Sequence, residues 1–69
     1  MTDVQLAQTE LDRLYPKTTT VIKIDQQMVL IKTASAAIAS EVRLNQLNIV
    51  RILDSTLKTT VSSIRIFIR

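Results

Sequence analysis

Near the start of the chain, apolar residues recur every three or four positions, the spacing of one face of an α-helix. These residues are Val4, Ala7, Leu11 and Leu14. Thr2 is placed to cap this helix, with Gln5 three residues on as in a capping box. Pro16 is expected to end the helix, because its ring disfavours the helical conformation at the preceding residue.

In the segment that follows, the residue pattern repeats every two positions. Alternating, β-branched residues predict a strand from Thr18 to Asp25, and a second strand is predicted from Met28 to Thr33. Because Gln26 and Gln27 leave only a short polar connection, the two strands are expected to form an antiparallel hairpin. A third strand is predicted from Val61 to Arg69, where isoleucines alternate with Arg and Phe.

Between the second and third strands the apolar period is helical again. Ser35 is the predicted N-cap, and the alanines that follow favour a helix that lies close to a sheet. The apolar stripe consists of Ile38, Val42, Ile49, Leu53 and Leu57. The pattern weakens from Leu44 to Asn48. It is compatible with one long helix, or with two shorter helices and a bend, in which Asn48 caps the second.

The order of these elements predicts a single α+β domain over residues 1–69. Since the last strand follows a helical crossover, it is expected to run parallel to one strand of the hairpin. Helices then cover one face of a three-stranded sheet, in two layers. The other face of the sheet is left open.

Assigning the strand isoleucines to the helix-covered side divides the sheet into two faces. The predicted core face carries Ile22, Ile24, Val29, Ile31, Ile64, Ile66 and Ile68. The predicted open face carries Val21, Lys23, Leu30, Lys32, Arg65, Phe67 and Arg69. Four cations therefore surround three apolar side chains on the open face, with no acid among them.

Three interpretations of the open face are compatible with its residues. It can bind nucleic acid, because cations neutralise phosphates and Phe67 can stack on an unpaired base. It can bind a protein, with Phe67 and Leu30 as anchors and arginines at the rim. In the third interpretation, Lys and Arg side chains only solvate an exposed sheet. Arg43, near the predicted helix bend, is a further candidate contact.

The amino-acid composition limits the kinds of binding site and reaction that the chain can support. Nine basic and six acidic residues give a net charge of +3, which allows a nucleic-acid partner without requiring one. The chain has no cysteine, histidine or glycine. Disulfides, thiolate metal sites and glycine-rich phosphate loops are therefore excluded, and no histidine is present to activate a serine or threonine. We expect no enzyme activity, metal, cofactor or small-molecule ligand.

The sequence also indicates where in the cell the protein is expected. No stretch approaches the roughly 18 apolar residues of a membrane span. The first 14 residues carry Asp3, Glu10 and Asp12 and lack the apolar run of a signal peptide. The absence of cysteine fits a reducing compartment. A cytoplasmic protein without a membrane partner is the expectation.

Three segments carry a resemblance to a known family. Residues 30–34 (LIKTA) end the hairpin and enter a helix, residues 35–44 (SAAIASEVRL) form an alanine-rich helix, and residues 61–69 (VSSIRIFIR) form a closing strand. With the leucine-type helix over residues 49–57 between them, they resemble, in order, the DciA family of bacterial replicative-helicase operators. The resemblance spans residues 21–69, about two-thirds of the chain.

The DciA resemblance implies a KH-like domain that helps to load a DnaB-type replicative helicase and has affinity for single-stranded DNA. Arg43 and Arg65 match the family pattern and are its candidate contacts. Ala36, Ala37, Leu44, Ile64 and Ile66 also match and are expected in the core. The GxxG loop of KH domains cannot form without glycine. The alternative function is a protein-interaction or self-assembly module that uses the apolar part of the open face or a sheet edge.

Overall fold

The computed structural model describes residues 2–68. The elements are α1 (Asp3–Leu14), β1 (Thr19–Asp25), β2 (Met28–Thr33), α2 (Ala36–Leu44), α3 (Gln46–Thr56) and β3 (Ser63–Ile68). The strands form one sheet in the order β1-β2-β3, with β1 antiparallel and β3 parallel to β2. The predicted α+β order and the parallel third strand are confirmed. None of the helices within residues 2–68 is long and apolar enough to cross a membrane.

The first helix begins and ends where its sequence predicts. Thr2 Oγ1 accepts a hydrogen bond from the Gln5 amide at 3.2 Å, and Gln5 Oε1 accepts one from the Thr2 amide at 2.9 Å. This capping box satisfies two amides that have no partner in the first turn. The helix ends at Leu14, two residues before Pro16. Leu14 itself is exposed, so the buried part of the predicted stripe stops at Leu11.

The second helical region is two helices, and the break lies at Asn45. The prediction that Asn48 caps the second helix is wrong, because Asn48 lies inside α3. The backbone of Asn45 leaves the helical region at φ −99° and ψ 9°. Its side-chain amide donates to the hydroxyl of Tyr15 at 3.2 Å. A contact with the end of α1 therefore holds the break.

The core lies between the helices and one face of the sheet. Its buried residues are Ala7, Leu11, Val21, Val29, Ile31, Val42, Ile49, Leu53, Leu57 and Val61. All are aliphatic, and Leu11, Ile31, Ile49 and Leu53 are the largest fully buried ones. Burying each of these four side chains contributes about 1.5–3 kcal/mol to stability. The helices therefore fix the sheet through aliphatic packing on one side only.

A β-bulge in β1 reverses the predicted faces of two residues. Val21 lies opposite Ile31 and Lys23 lies opposite Leu30, so Ile22 is an extra residue between two regular pairs. Val21 is 6% exposed and belongs to the core, whereas Ile22 is 47% exposed. The prediction that Val21 lies on the open face and Ile22 in the core is wrong, because an inserted residue shifts the alternation of the strand.

A side chain from α1 covers part of the outer edge of β1. Gln8 Nε2 donates to the carbonyl of Thr19 at 3.1 Å, and Gln8 Oε1 accepts from the amide of Val21 at 2.7 Å. The amide of Gln8 thus bonds the backbone as a neighbouring strand would. At the other edge of the sheet, β3 pairs with β2 and with no other strand in residues 2–68.

The hairpin turn adopts left-handed backbone conformations without glycine. Gln26 has φ 50° and Gln27 has φ 70°, as a type I′ turn requires at both central positions. Each such conformation costs roughly 1–2 kcal/mol in a non-glycine residue. The carbonyl of Gln27 also accepts a hydrogen bond from the amide of Ser62 at 2.9 Å. The turn is therefore tied to the start of β3.

Two carboxylates hold the loop between α3 and β3. Asp54 Oδ1 accepts from the amide of Val61 at 2.9 Å, and Asp3 Oδ2 accepts from the hydroxyl of Thr59 at 2.5 Å. The Thr59 hydroxyl is the main reason that the pKa of Asp3 lies below its ordinary value. Together these bonds set the direction in which the chain enters β3.

Candidate nucleic-acid interface

The face of the sheet that the helices leave uncovered, here called the open sheet face, consists of three rows across the strands. The first row is Thr20, Lys32 and Phe67. The second row is Lys23, Leu30 and Arg65. The third row is Asp25, Met28 and Ser63. Since alternate residues of a strand point to the same side, these nine side chains share one surface.

The structure brings four of the predicted site residues together on this surface. They are Lys23, Lys32, Arg65 and Phe67. Arg43 does not join them, because it lies at the exposed end of α2, in the helical layer on the other side of the sheet. Arg69 lies outside the described residues, so its predicted place on the face stays a prediction.

Phe67 has one cation over its ring and a second cationic residue opposite it on the neighbouring strand. The guanidinium carbon of Arg65 lies 5.5 Å from the centre of the Phe67 ring. Lys32 is the neighbour of Phe67 across the strands. The ring is 37% exposed, enough to contact a ligand. A cation over an exposed ring contributes about 0.5–1 kcal/mol, so Arg65 also helps to hold the ring in place.

The charge of the open sheet face changes from one end to the other. Its cations, Lys23, Lys32 and Arg65, lie in the first two rows. Asp25 is exposed in the third row, because β1 continues to this residue in register with Met28. The prediction of a face without an acid is therefore wrong at the hairpin end.

The cations of the open sheet face are not neutralised by neighbouring side chains. Over residues 2–68 the one ion pair joins Arg13 to Glu10 at 3.6 Å, on the surface of α1. Lys23, Lys32 and Arg65 therefore have no carboxylate partner within the described part of the chain. A polyanion binding here would not have to displace an internal partner from any of them.

A second surface lies at the junction of α2 and α3, and we call it the helix corner. It consists of Arg43, Leu44 and Leu47. Leu44 is 89% exposed and Leu47 is 80% exposed. The core contacts of these helices are made by Val42 and Ile49. Leu44 is two positions from Val42, and Leu47 is two positions from Ile49. Residues two apart point to different sides of a helix, so the two leucines point away from the core.

Three residues that the family resemblance places in the core are exposed in the structure. Ala36, Ala37 and Leu44 were expected in the core, and all three are exposed. Ile64 and Ile66, expected there too, are partly buried and pack against the core. The spacing of Leu44 from Val42 was a signal in the sequence that could have revealed its exposure.

The fold and its two surfaces define a class of protein. It is a small two-layer α+β domain with a cationic sheet face on one side and an apolar helix corner on the other. A scan against protein-family models finds no match to the chain, and a search of curated proteins also finds none. The assignment to the DciA family therefore stays a prediction.

Proposed function

We propose that this domain is a non-enzymatic accessory factor of DNA replication. It binds single-stranded DNA on the open sheet face and a DnaB-type replicative helicase at the helix corner. The observation that carries the proposal is the exposed Phe67 ring, with Arg65 over it and Lys32 as its cross-strand neighbour, two cations without a carboxylate partner in residues 2–68. The link to replication rests on the resemblance of residues 21–69 to the DciA family.

Single-stranded DNA suits this face better than a duplex does. The bases of a single strand are free to leave the stack and lie on an aromatic ring, which contributes about 1–3 kcal/mol per base. Reading a duplex requires an element that enters a groove. The open sheet face is instead a three-stranded surface with one aromatic ring, Phe67, at one end. It offers a platform for an unpaired base, with cations beside it for the adjoining phosphates.

The DNA part of the proposal predicts a steep dependence on salt. With about three phosphates neutralised, the affinity for a single strand should fall roughly 20-fold between about 50 and about 200 mM salt. Fluorescence anisotropy of a labelled oligothymidine measures this. A duplex of the same length is the control and should bind more weakly. Binding that is equally tight at both salt concentrations would contradict the electrostatic interface.

The helix corner supports a protein partner. Leu44 and Leu47 expose most of their apolar surface to solvent, and Arg43 provides a cation beside them. An apolar centre with an arginine beside it is typical of a protein interface. Because the helical layer and the open sheet face lie on opposite sides of the sheet, DNA and protein can bind at the same time.

Polar substitutions at the helix corner should remove binding to the helicase and leave DNA binding unchanged. In the variant Leu44→Ser with Leu47→Ser, we expect at least a tenfold loss of affinity for a purified replicative helicase, since two exposed anchors are truncated. Isothermal titration calorimetry measures it. Ala37→Ser, at an exposed position of α2, is the matched control. A wild-type domain that does not bind the helicase would refute the replication assignment.

The uncovered edge of β3 favours a second candidate function, self-assembly without a nucleic-acid role. Antiparallel pairing of two β3 strands about Ile66 would place Arg65 opposite Phe67 of the second copy, and Ile64 opposite Ile68. Ile68 is 53% exposed. This register opposes no like charges, a condition for stable strand pairing. Light scattering at increasing protein concentration would then show twice the monomer mass, with little response to salt.

A further inference from the structure

A depression of about 160 Å³ adjoins the first row of the open sheet face. It lies where the loop between α1 and β1 meets the loop between β2 and α2, and the two loops are joined by the amide of Ala34 and the carbonyl of Thr18 at 3.0 Å. Its lining is Lys17, Thr18, Thr20, Lys32, Thr33 and Ala34. We propose that this depression is a phosphate-binding pocket with a preference for a dianionic phosphomonoester.

The charge of the lining selects an anion. Lys17 and Lys32 are the charged residues of its lining within residues 2–68, and no carboxylate from that range lines it. Neither lysine forms an ion pair within residues 2–68. Lysine ammonium groups bind phosphate as point charges. A phosphomonoester carries a charge close to −2 at neutral pH, which matches two ammonium groups better than a phosphodiester does.

The hydroxyl groups of the lining divide into those already bonded and one that is available. Thr18 donates its hydroxyl hydrogen to the carbonyl of Tyr15 at 3.1 Å. Thr33 donates to backbone carbonyls, including that of Phe67 at 3.3 Å. Thr20 is exposed and its hydroxyl bonds no group in the described part of the chain. The donors available to a phosphate are therefore Thr20 Oγ1 and the two Nζ atoms.

The backbone at Lys17 is held in an unusual conformation. Its φ is 62°, in the left-handed region where a non-glycine residue costs roughly 1–2 kcal/mol. The loop is fixed on both sides by the bonds that Thr18 makes with Tyr15 and Ala34. The backbone position of Lys17 at the pocket is therefore set by the fold before any ligand arrives, so that less backbone entropy is lost on binding.

The pocket lies next to the aromatic ring of the DNA interface. Lys32 belongs to both, because it lines the pocket and is the cross-strand neighbour of Phe67. Neighbouring strands are about 4.8 Å apart, within the span of one nucleotide. The inference in this form rests on the proposed function: the pocket takes the terminal phosphate of a strand whose end base stacks on Phe67. Inorganic phosphate has the same chemistry and serves as a simpler probe.

Two titrations of the full chain test the pocket. In ¹⁵N-correlated NMR spectra, inorganic phosphate should shift the amides of Thr18, Thr20 and Ala34 in a saturable manner. In anisotropy measurements, an oligothymidine with a 5′- or 3′-terminal phosphate should bind about tenfold more tightly than the same strand without one. Lys17→Gln should remove both effects. Lys58→Gln, the same charge change at an exposed position of the loop between α3 and β3, outside the pocket and the open sheet face, should keep them.

The outcomes of these titrations distinguish a failure of the proposed pocket from a failure of the proposed DNA interface. If strands bind equally with and without a terminal phosphate, and inorganic phosphate moves none of the pocket amides, the pocket is refuted while the proposed function stands. If Lys17→Gln and Lys58→Gln weaken phosphate binding equally, phosphate responds only to the overall charge of the protein, and the pocket is again refuted. If inorganic phosphate binds and no oligonucleotide does, the pocket stands and the proposed function fails.

Discussion

Replacing Val21 with Asp is expected to unfold the domain, whereas the same substitution at Ile22 should leave it folded. Val21 is 6% exposed and faces the core opposite Ile31, so a carboxylate there would be buried without a partner. That costs several kcal/mol, comparable with the roughly 3–10 kcal/mol of stability expected for a chain of this size. Ile22 is 47% exposed, and a charge there stays in water. Far-UV circular dichroism with urea denaturation measures both.

Milder substitutions keep this prediction measurable if Val21→Asp yields no soluble protein. Val21→Ala should lower the free energy of unfolding by about 1–3 kcal/mol, because it removes buried methyl groups and leaves a cavity. Ile22→Ala should lower it by less than about 1 kcal/mol. Equal losses at the two positions would mean that β1 alternates without a bulge, and the face assignment of the strand would have to be reversed.

Reversing two charges of the open sheet face should nearly abolish binding to single-stranded DNA. In Lys32→Glu with Arg65→Glu, each change removes an attraction to phosphate and adds a repulsion, and we expect a loss of at least about 100-fold. Phe67→Ala should cost about tenfold through lost stacking and leave the salt dependence unchanged. Anisotropy titrations at two salt concentrations distinguish the electrostatic from the stacking contribution.

A control with the same net charge tests whether the position of the cations matters. Arg13→Glu with Arg51→Glu makes the identical charge change on exposed positions of α1 and α3, away from the sheet. This variant should keep most of the DNA affinity. A loss as large as that of the sheet variant would show that overall charge alone attracts DNA. Full retention of affinity by the sheet variant would place the binding site elsewhere.

The open sheet face could be predicted in part because β2 and β3 alternate without interruption. Lys32, Arg65 and Phe67 follow from the period of two along their own strands. The bulge in β1 could not be predicted in the same way. The bulge is accompanied by hydrogen bonds between the side chain of Gln8 and the backbone of Thr19 and Val21. These residues are more than ten positions from Gln8 in the chain, and a local pattern of apolar residues carries no information about such contacts.

The helix corner shows a different limit of sequence analysis. A helix break was compatible with the pattern, but the pattern did not mark its position. The break lies at Asn45, whose side chain contacts the hydroxyl of Tyr15 from another element. The similarity of residues 35–44 to a family segment suggested that Leu44 is buried. Such similarity does not determine the phase of a helix relative to the core, and the break at Asn45 leaves Leu44 in solvent.

The amide of Gln8 on the edge of β1 has a consequence for any association of these domains. A sheet with two uncovered edges can add copies without end and form fibres. Here the backbone groups of Thr19 and Val21 at one edge are already occupied. Two copies joined through β3 would present only β1 at both outer margins, and a third copy would have to displace Gln8 to pair along the first part of that edge.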